Sequence, residues 1–315
     1  MSRSPSRRSR RSSRAPGSSA RPSVVPGLVA GIAGLPVVDH HCHLSTAGEG
    51  ARAAARFRAA GGTHLFLATQ NYEGRVPTDL EAYRRQFETT ERLARDVRES
   101  TGVVVYVVVA PYPIDLVGAS QSLGLETALA LQRSALDLAG RWVRERRAVA
   151  LGEVGWPHFP VEPEVGDAAR KALDYAMEVA RDVGCPVVVH SPDLDQAGWL
   201  ELEEAGRRAQ LPPRRVVKHY TRARRDPALA RGVVPSYLAR RELVNAVVGD
   251  PGPWFLETDY LDDPKRPGAV LDLSTVPRRA AAVARRSPSE AEALSIPFVR
   301  SVQEVYGLTP ELAGE

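Results

Sequence analysis

The stretch "CPVVVHSP", from Cys185 to Pro192, contains the pattern on which the whole fold depends. Its three consecutive valines form an apolar run that is short and β-branched, which favours a fully buried strand. The run stops at His190, and a proline follows two residues later. Residues 167–184, just before it, have helical spacing, with Asp167 as the expected cap and Gly184 as the expected stop. The stretch therefore predicts a helix followed by a buried strand that ends in a polar side chain.

The same unit recurs along the chain beyond Gly31. Seven further apolar runs are "LPVVDHHCHL" (35–44), "THLFLATQ" (63–70), "GVVVYVVVAPYP" (102–113), "AVALGEVGW" (148–156), "RVVKHY" (215–220), "RGVVPSYL" (231–238) and "WFLETDY" (254–260). Helical spacing fills several of the gaps, at 48–62, 77–101 and 123–146. Alternating strands and helices predict parallel strands with right-handed crossovers, and eight such units close most naturally into a (β/α)₈ TIM barrel. The alternative, an open doubly wound sheet, would need a Gly-rich dinucleotide motif that does not follow the first strand.

Composition separates a tail from a globular part. The 315-residue chain is 43% hydrophobic and 25% charged, as is usual for a globular protein. Residues 1–22 contain seven Arg and no acidic residue, so the rest carries 35 basic and 38 acidic side chains. We predict a disordered Ser/Arg/Pro-rich tail over residues 1–30 and one barrel domain over residues 31–315. The tail is an electrostatic arm for nucleic acid or acidic partners, a solvated extension, or a stretch upstream of the true translation start.

The cysteine content and the apolar segments of the sequence indicate where in the cell the protein lies. Two cysteines, Cys42 and Cys185, are too few for a disulfide framework and suit a reducing environment. There is no apolar run of about 18 residues and no apolar core of a signal peptide near the start. We therefore expect a cytoplasmic protein without a membrane span, and no feature indicates an obligate protein partner.

Polar residues gather at the ends of five of the predicted strands. Asp39, His41 and His43 share strand parity and are expected to point to one side, whereas His40 and Cys42 are expected to pack toward the helices. The remaining strand-end residues are Glu153, His190, His219, Glu257 and Asp259. Barrel chemistry collects at the carboxyl ends of the strands, and a shared ring of His and carboxylate suits a metal ion. The sequence predicts a metal site there.

These residues carry a family resemblance. "DHHCHL", "GEVGW", "VVVHS", "KHY" and "ETD", in this order, resemble the TatD-related branch of the metal-dependent hydrolase (amidohydrolase) superfamily. The run "ETDYLDDPKRPGAVLDLSTVPRR" (257–279) further resembles a little-characterised, largely archaeal TatD-like set. The resemblance implies one or two divalent ions (Mg, Mn or Zn). Its implied ligands are His41, His43 and Asp259 for one ion, Glu153 as a bridge, and His190 and His219 for the second ion.

The resemblance also implies a reaction. A two-metal centre would activate water, with Asp259 as the proton acceptor and Glu153 as the second catalytic carboxylate. TatD-like proteins are associated with hydrolysis of phosphodiesters at DNA ends. However, "HYTRA", "GWPHFP" and "YLDDPKRPG" depart from the usual TatD loops. An amide, ester or lactone hydrolase acting on a small molecule is therefore the alternative, with ester bonds favoured over C–N bonds. An inactive barrel that binds nucleic acid through its tail would require lost ligands, and all six are present.

Other residues have weaker signals. Asp39 and Glu257 are expected to lie around the ligands as outer partners. His158, in the loop after the fourth strand, and Arg266, after the eighth, are expected to contact substrate. Lys218 points away from its neighbour His219 by parity, so we do not expect it to bridge metals.

Overall fold

Parallel β-strands form the centre of the molecule. A computed structural model describes Met1 and residues 34–227, 232–266 and 268–311. Its strands are β1 (Val38–His43), β2 (His64–Ala68), β3 (Val104–Val109), β4 (Ala150–Gly155), β5 (Val187–His190), β6 (Val216–Thr221), β7 (Val233–Leu238), β8 (Phe255–Glu257) and β9 (Tyr260–Leu261). They lie in one parallel sheet in the order β8-β7-β6-β5-β4-β3-β2-β1-β9. Apart from Met1, the predicted tail over residues 1–30 lies outside the described residues.

The two ends of this sheet are two halves of one predicted strand. β8 pairs with β7 and β9 pairs with β1, and only Thr258 and Asp259 separate the halves. The backbone N–H of Asp259 donates to the carbonyl of His41 (3.0 Å), so the break itself is bonded to β1. The strands therefore curl into the predicted TIM barrel. The eighth strand, predicted to be continuous over 254–260, is split into β8 and β9.

Helices connect the strands. They are α1 (Ala51–Ala59), α2 (Leu80–Thr101), α3 (Pro113–Leu123), α4 (Leu125–Arg144), α5 (Pro163–Val183), α6 (Gln196–Arg208), α7 (Arg241–Val247), α8 (Thr275–Ala284), α9 (Pro288–Ala293) and α10 (Ser301–Tyr306), with a π-helical turn at Ile296–Arg300. The predicted stop at Gly184 is correct, because this residue adopts the left-handed conformation (φ 75°) that ends α5. The predicted cap at Asp167 is wrong: α5 begins four residues earlier with Pro163, a favoured first helical residue.

Side chains of the strands alternate between two apolar layers. Residues such as Leu67 and Val107 pack with helix residues such as Phe87 in one cluster. Residues on the opposite side of the strands, such as Phe66 and Val108, form a second cluster inside the barrel that extends to the C-terminal helices. Within the described residues, none of the helices has the length and hydropathy needed to span a bilayer.

Candidate metal centre

The structure brings all six predicted ligands together. His41 and His43 come from β1, Glu153 from β4, His190 from the end of β5, His219 from β6 and Asp259 from the break between β8 and β9. His41, His43, Glu153 and His219 are buried. The Asp259 side chain keeps 17% of its surface exposed and His190 keeps 12%, so these two border the opening of the site. The cluster therefore lies at the carboxyl ends of the strands, as expected for a barrel enzyme.

The carboxylate of Glu153 is the centre of the cluster. Four imidazole nitrogens surround its oxygens, at 2.7 Å (His219 Nε2), 3.1 Å (His190 Nδ1), 3.3 Å (His43 Nε2) and 3.7 Å (His41 Nε2). The rings of His41 and His219 also stack, with centroids 4.2 Å apart. One carboxylate thus contacts ligand candidates from three other strands, which is the position that a bridging ligand requires.

Two overlapping groups of three residues have ligand atoms close enough to share an ion. One is His41, His43 and Asp259, and the other is His41, Glu153 and His219; in each, the atoms lie within 4.8 Å of one another. The first group matches the predicted set. The second joins Glu153 and His219 to His41, where the resemblance implied His190. His190 nevertheless adjoins this group, because its Nδ1 lies 3.2 Å from His219 Nε2.

The donor atoms fit divalent metal ions. His43 Nδ1 donates to the carbonyl of Ala68 (3.2 Å), so a neutral His43 ring presents the lone pair of Nε2 to the cluster. That Nε2 lies 3.2 Å from His41 Nε2, and a cation or proton near both is needed to stabilise such a pair. Imidazole nitrogens with carboxylate oxygens suit Zn²⁺ and related ions. These residues can therefore hold one or two ions.

Burial and charge shift the pKa values of the cluster in opposite directions. Burial opposes ionisation of Glu153, yet His219 and His190 hold the pKa of its carboxyl well below the ordinary value. Burial also disfavours a charged His219, but Glu153 and Glu257 outweigh it and raise the pKa of His219 to about 10. For Asp259, burial raises the pKa to about 7, although His219 and His43 oppose this. In the protein without bound metal, Glu153 is thus the carboxylate that stays ionised, and Asp259 is the carboxyl whose pKa lies near neutrality.

Comparison with known proteins identifies the family. A family model described as TatD related DNase matches residues 38–307. The chain belongs to the TatD related DNase family.

Relatives agree with this assignment. An uncharacterized protein of Methanocaldococcus jannaschii is 30% identical over 283 residues, which cover 88% of this chain and 98% of that protein. A TatD-like protein from Archaeoglobus fulgidus has a similar fold, with a TM-score of 0.59 at 14% identity, covering 86% of this chain and 100% of the other. A TatD homologue from Escherichia coli gives 0.55 at 18% identity, covering 86% and 98%. The resemblance inferred from the sequence is confirmed, and membership supports a hydrolase that depends on divalent metal.

In this TatD related chain, Glu257 and Asp39 occupy different surroundings. Glu257 is fully buried, and its Oε1 lies 3.5 Å from His219 Nδ1 on the side away from Glu153. Asp39 accepts the backbone N–H of His41 (3.3 Å), the backbone N–H of Thr258 (3.0 Å) and the Thr258 hydroxyl (2.6 Å). Asp39 therefore ties together the main chains that carry His41 and Asp259, while Glu257 faces a ligand ring directly.

The predicted side-chain directions in β1 need correction. Between Asp39 and Cys42 the pairing with β2 shifts, so that three steps along β1 match two along β2. Cys42 packs in the helix-facing cluster, as expected. His40, expected to face the helices, instead stacks on Phe255 inside the barrel, with ring centroids 4.0 Å apart. Asp39, expected to point with His41, pairs with the helix-facing Leu65. The extra residue of a β-bulge lets two consecutive side chains face the same way.

The two predicted substrate contacts lie apart. His158 adjoins the cluster, because its Nδ1 is 2.9 Å from His190 Nε2. Arg266 lies on the surface, where its guanidinium pairs with Asp263 (2.8 Å). Only His158 is therefore in direct contact with a ligand candidate.

The sequence did not single out Tyr112, and it left the contacts of Lys218 unassigned. The Tyr112 hydroxyl lies 3.5 Å from His190 Nε2, and its position just beyond β3 was the available signal. Lys218 points away from the cluster as expected, but it is buried, and its ammonium donates to the carbonyls of Ser191 (3.3 Å) and His219. Lys218 thus holds together the main chains at the ends of β5 and β6.

Proposed function

We propose that this protein uses a binuclear divalent metal centre to hydrolyse phosphodiester bonds at DNA ends, in the manner that its family name suggests. The observation that carries the proposal is the Glu153 carboxylate. Its Oε1 lies 2.7 Å from His219 Nε2 and its Oε2 lies 3.3 Å from His43 Nε2, so its two oxygens can bridge ions held by the two ligand groups. Two ions a few ångströms apart are well suited to in-line displacement at phosphorus.

The protein residues have distinct tasks in this reaction. Ions bound at the cluster would lower the pKa of water and stabilise charge on the attacking and leaving oxygens. Glu153 holds four imidazoles in place, and the partly exposed Asp259 accepts the proton of the attacking water. If His190 binds through Nδ1, its Nε2–H donates to His158 Nδ1. The Nε2–H of His158 is then left to donate to the substrate.

The opening of the site offers a surface for a nucleotide. Phe159 is 41% exposed, although it is a large apolar side chain. Its ring centroid lies 5.3 Å from that of His158, which in turn lies 5.1 Å from that of His190. Nucleic-acid bases stack on exposed aromatic rings without sequence preference. An exposed ring two side chains from a ligand supports a substrate that carries a base beside the scissile bond.

Metal analysis and a panel of substrates test the proposal. The purified protein, assayed with Mg²⁺, Mn²⁺ or Zn²⁺, should release nucleotides from single-stranded DNA ends and should contain at least about one divalent ion per chain. Asp259→Asn should lower this activity by about 100-fold or more, because it removes the proton acceptor. Asp272→Asn is the matched control: it changes a half-exposed aspartate outside the cluster and should retain activity.

The same panel separates the rival activity. Esters, lactones and small amides belong in it, because the acidic balance of residues 23–315 also suits a small uncharged substrate. Turnover of these compounds without DNA hydrolysis would replace the proposed substrate and leave the metal chemistry intact. Full activity in Asp259→Asn, or a protein free of divalent ions, would refute the metal-dependent reaction itself.

Substrate contact is proposed for His158 and Arg266. His158→Ala should raise KM for DNA ends about 10-fold while leaving metal content unchanged, since an average hydrogen bond to a charged group is worth about that factor. Arg266→Ala should show the same pattern if the guanidinium leaves Asp263 to bind phosphate. A change in metal content without a change in KM would instead assign His158 to the metal centre.

A further inference from the structure

A chain of buried polar side chains lies inside the barrel, beneath the ligand cluster. His40 comes from β1, Ser236 from β7, Glu257 from β8 and Tyr306 from α10. All four are buried, and His40 also packs between the apolar rings of Phe255 and Phe66. Polar groups in such a core are costly unless each finds a hydrogen-bond partner. Four such side chains in one buried chain therefore indicate a role beyond packing.

The hydrogen bonds of this chain run in one direction. The Ser236 hydroxyl donates to Glu257 Oε2, which uses the only hydrogen of that hydroxyl. His40 Nδ1, 3.0 Å from the Ser236 oxygen, must then be the donor in that bond. The opposite nitrogen of the same ring, Nε2, is left to accept from the Tyr306 hydroxyl at 2.7 Å. Each donor is thus used once, and the chain ends on the carboxylate of Glu257.

The carboxylate at the end of the chain faces a ligand ring. Glu257 Oε1 accepts the backbone N–H of Tyr220 (2.6 Å) and lies 3.5 Å from His219 Nδ1. That Nδ1 is one of two buried side-chain atoms in the described residues that lack a hydrogen-bond partner. The other nitrogen of the ring, Nε2, lies 2.7 Å from Glu153 Oε1 within the cluster. Glu257 is therefore placed to receive the Nδ1–H of His219.

We propose that the chain Tyr306–His40–Ser236–Glu257 positions His219 so that its Nε2 faces the metal. The serine and the Tyr220 amide each engage one oxygen of Glu257, so the carboxylate cannot rotate away from the His219 ring. Outer hydrogen bonds of this kind orient metal-binding histidines and leave the correct nitrogen for the ion. The residues named here are positioning residues, and the chain connects the C-terminal helix α10 to the ligand cluster.

This inference rests on the metal centre of the proposed function, but not on its substrate. Its test uses Zn²⁺ alone as the probe, titrated calorimetrically into the full-length metal-stripped protein. Ser236→Ala should weaken Zn²⁺ binding about 10-fold or more, as for other outer partners of metal ligands. Ser236→Thr keeps the hydroxyl and should restore most of the affinity. Ser301→Ala removes another fully buried serine hydroxyl, which accepts the backbone N–H of Trp254. This control should leave Zn²⁺ affinity unchanged.

Three further variants test the direction of the chain. His40→Asn places an amide donor near the position of Nδ1 and should retain Zn²⁺ affinity, whereas His40→Leu should lose it. Tyr306→Phe removes only the hydroxyl at the far end and keeps the buried ring, so it should fold where larger changes fail. It should weaken Zn²⁺ binding several-fold. Tyr83→Phe is its control, since it removes a buried hydroxyl that accepts from Gln132 in a different part of the core.

Nitrogen-15 NMR of the histidine rings supplies a readout that a purely structural role would not change. In the Zn²⁺-loaded wild type, His219 should carry its proton on Nδ1 and His40 should carry its proton on Nδ1. Ser236→Ala should broaden or shift the His219 Nδ1–H signal, while Ser301→Ala should not. Unchanged Zn²⁺ affinity and an unchanged His219 signal in both Ser236→Ala and Tyr306→Phe would overturn the inference. Failure of the wild type to bind Zn²⁺ would instead refute the metal centre of the proposed function.

Discussion

Replacement of Glu153 by Gln changes the central carboxylate while preserving its shape. The amide keeps one acceptor oxygen but removes the negative charge. Its N–H groups would point at imidazole nitrogens whose lone pairs are needed to bind an ion. Because four imidazole nitrogens lie within 3.7 Å of the Glu153 oxygens, no rotation of the amide avoids all of them. Glu153→Gln should therefore weaken metal binding more than the loss of an outer partner would, by at least about 100-fold.

The size of the effect follows from linkage. At a free Zn²⁺ concentration 100 times the wild-type Kd, bound metal stabilises the fold by about 2.7 kcal/mol. A 100-fold weaker Kd leaves only about 0.4 kcal/mol at the same concentration. The variant should thus lose about 2 kcal/mol of metal-linked stability. In a chain of this length, that corresponds to a decrease of about 3 °C in the metal-induced rise of Tm.

The metal-free protein provides a separate baseline. Without metal, Glu153 pairs with His219 at 2.7 Å, and removal of one partner of a buried pair costs about 3–5 kcal/mol. Glu257 still faces the same ring at 3.5 Å, so we expect a smaller loss, about 1–3 kcal/mol. The informative quantity is therefore the difference between unfolding with Zn²⁺ and unfolding with a chelator, measured for each protein.

Thermal and urea unfolding under both conditions measure this difference. Asp115→Asn is the matched control, because it replaces a buried carboxyl in α3 that does not belong to the ligand cluster by an amide of the same shape. Its Zn²⁺-induced stabilisation should equal that of the wild type. An equal Zn²⁺-induced stabilisation in Glu153→Gln and the wild type would show that Glu153 is not a metal ligand.

Three further predictions concern other parts of the molecule. Burial raises the pKa of Asp115 to about 7, and its Oδ2 lacks a partner, so the native state holds a proton that the unfolded state loses. The contribution of Asp115 to stability should fall as pH rises from about 4 to 7, and Asp115→Asn should be about 2–4 kcal/mol more stable than the wild type in urea at pH 8 but equal at pH 3. The Asp262 carboxylate accepts the backbone N–H groups of Glu49 (2.8 Å) and Gly50 (2.7 Å); Asp262→Asn should cost about 1–3 kcal/mol and speed hydrogen exchange at those amides. A Cβ on Gly155 would lie 2.0 Å from the carbonyl oxygen of the ligand candidate His190, so Gly155→Ala should displace that residue and weaken Zn²⁺ binding in calorimetry. Gly61 also has a positive φ but lies in open space, so Gly61→Ala should only destabilise the fold.

Much of the site was predictable because two simple rules place it. Apolar runs such as "VVVH" (187–190) must be buried strands, and parallel strands present their carboxyl ends at one side of a barrel. Charged or imidazole groups at those ends have to share partners once they are buried. Glu153, His190 and His219 come together for this reason, although Glu153 and His219 lie 66 positions apart along the chain.

Other features depend on contacts that no local pattern carries. Ser236 and Tyr306 reach His40 from positions 196 and 266 residues away, and neither lies beside a polar motif. Their contacts with His40 become apparent only once β7 and α10 are placed next to β1 in the fold. Arg266 shows the opposite limit: its position after the eighth strand suggested a substrate contact, but a neighbouring Asp263 within one turn provides a nearer partner.

The errors in side-chain direction have one physical cause. In the described sheet, register shifts occur between Asp39 and Cys42, between Gly152 and Val154, and between Lys218 and Thr221. Each shift contains a residue of the ligand cluster: His41, Glu153 or His219.

A regular strand sends successive side chains to opposite faces, so it cannot aim two neighbours into one barrel. A bulge can, at a cost in regular pairing that functional sites commonly sustain. Asp259 follows the same logic, since its left-handed backbone (φ 48°) interrupts the eighth strand at the ligand itself. Strict alternation therefore gives the wrong direction for Asp39 and His40, at the bulge that contains His41, although it aims His41 and His43 correctly at the cluster.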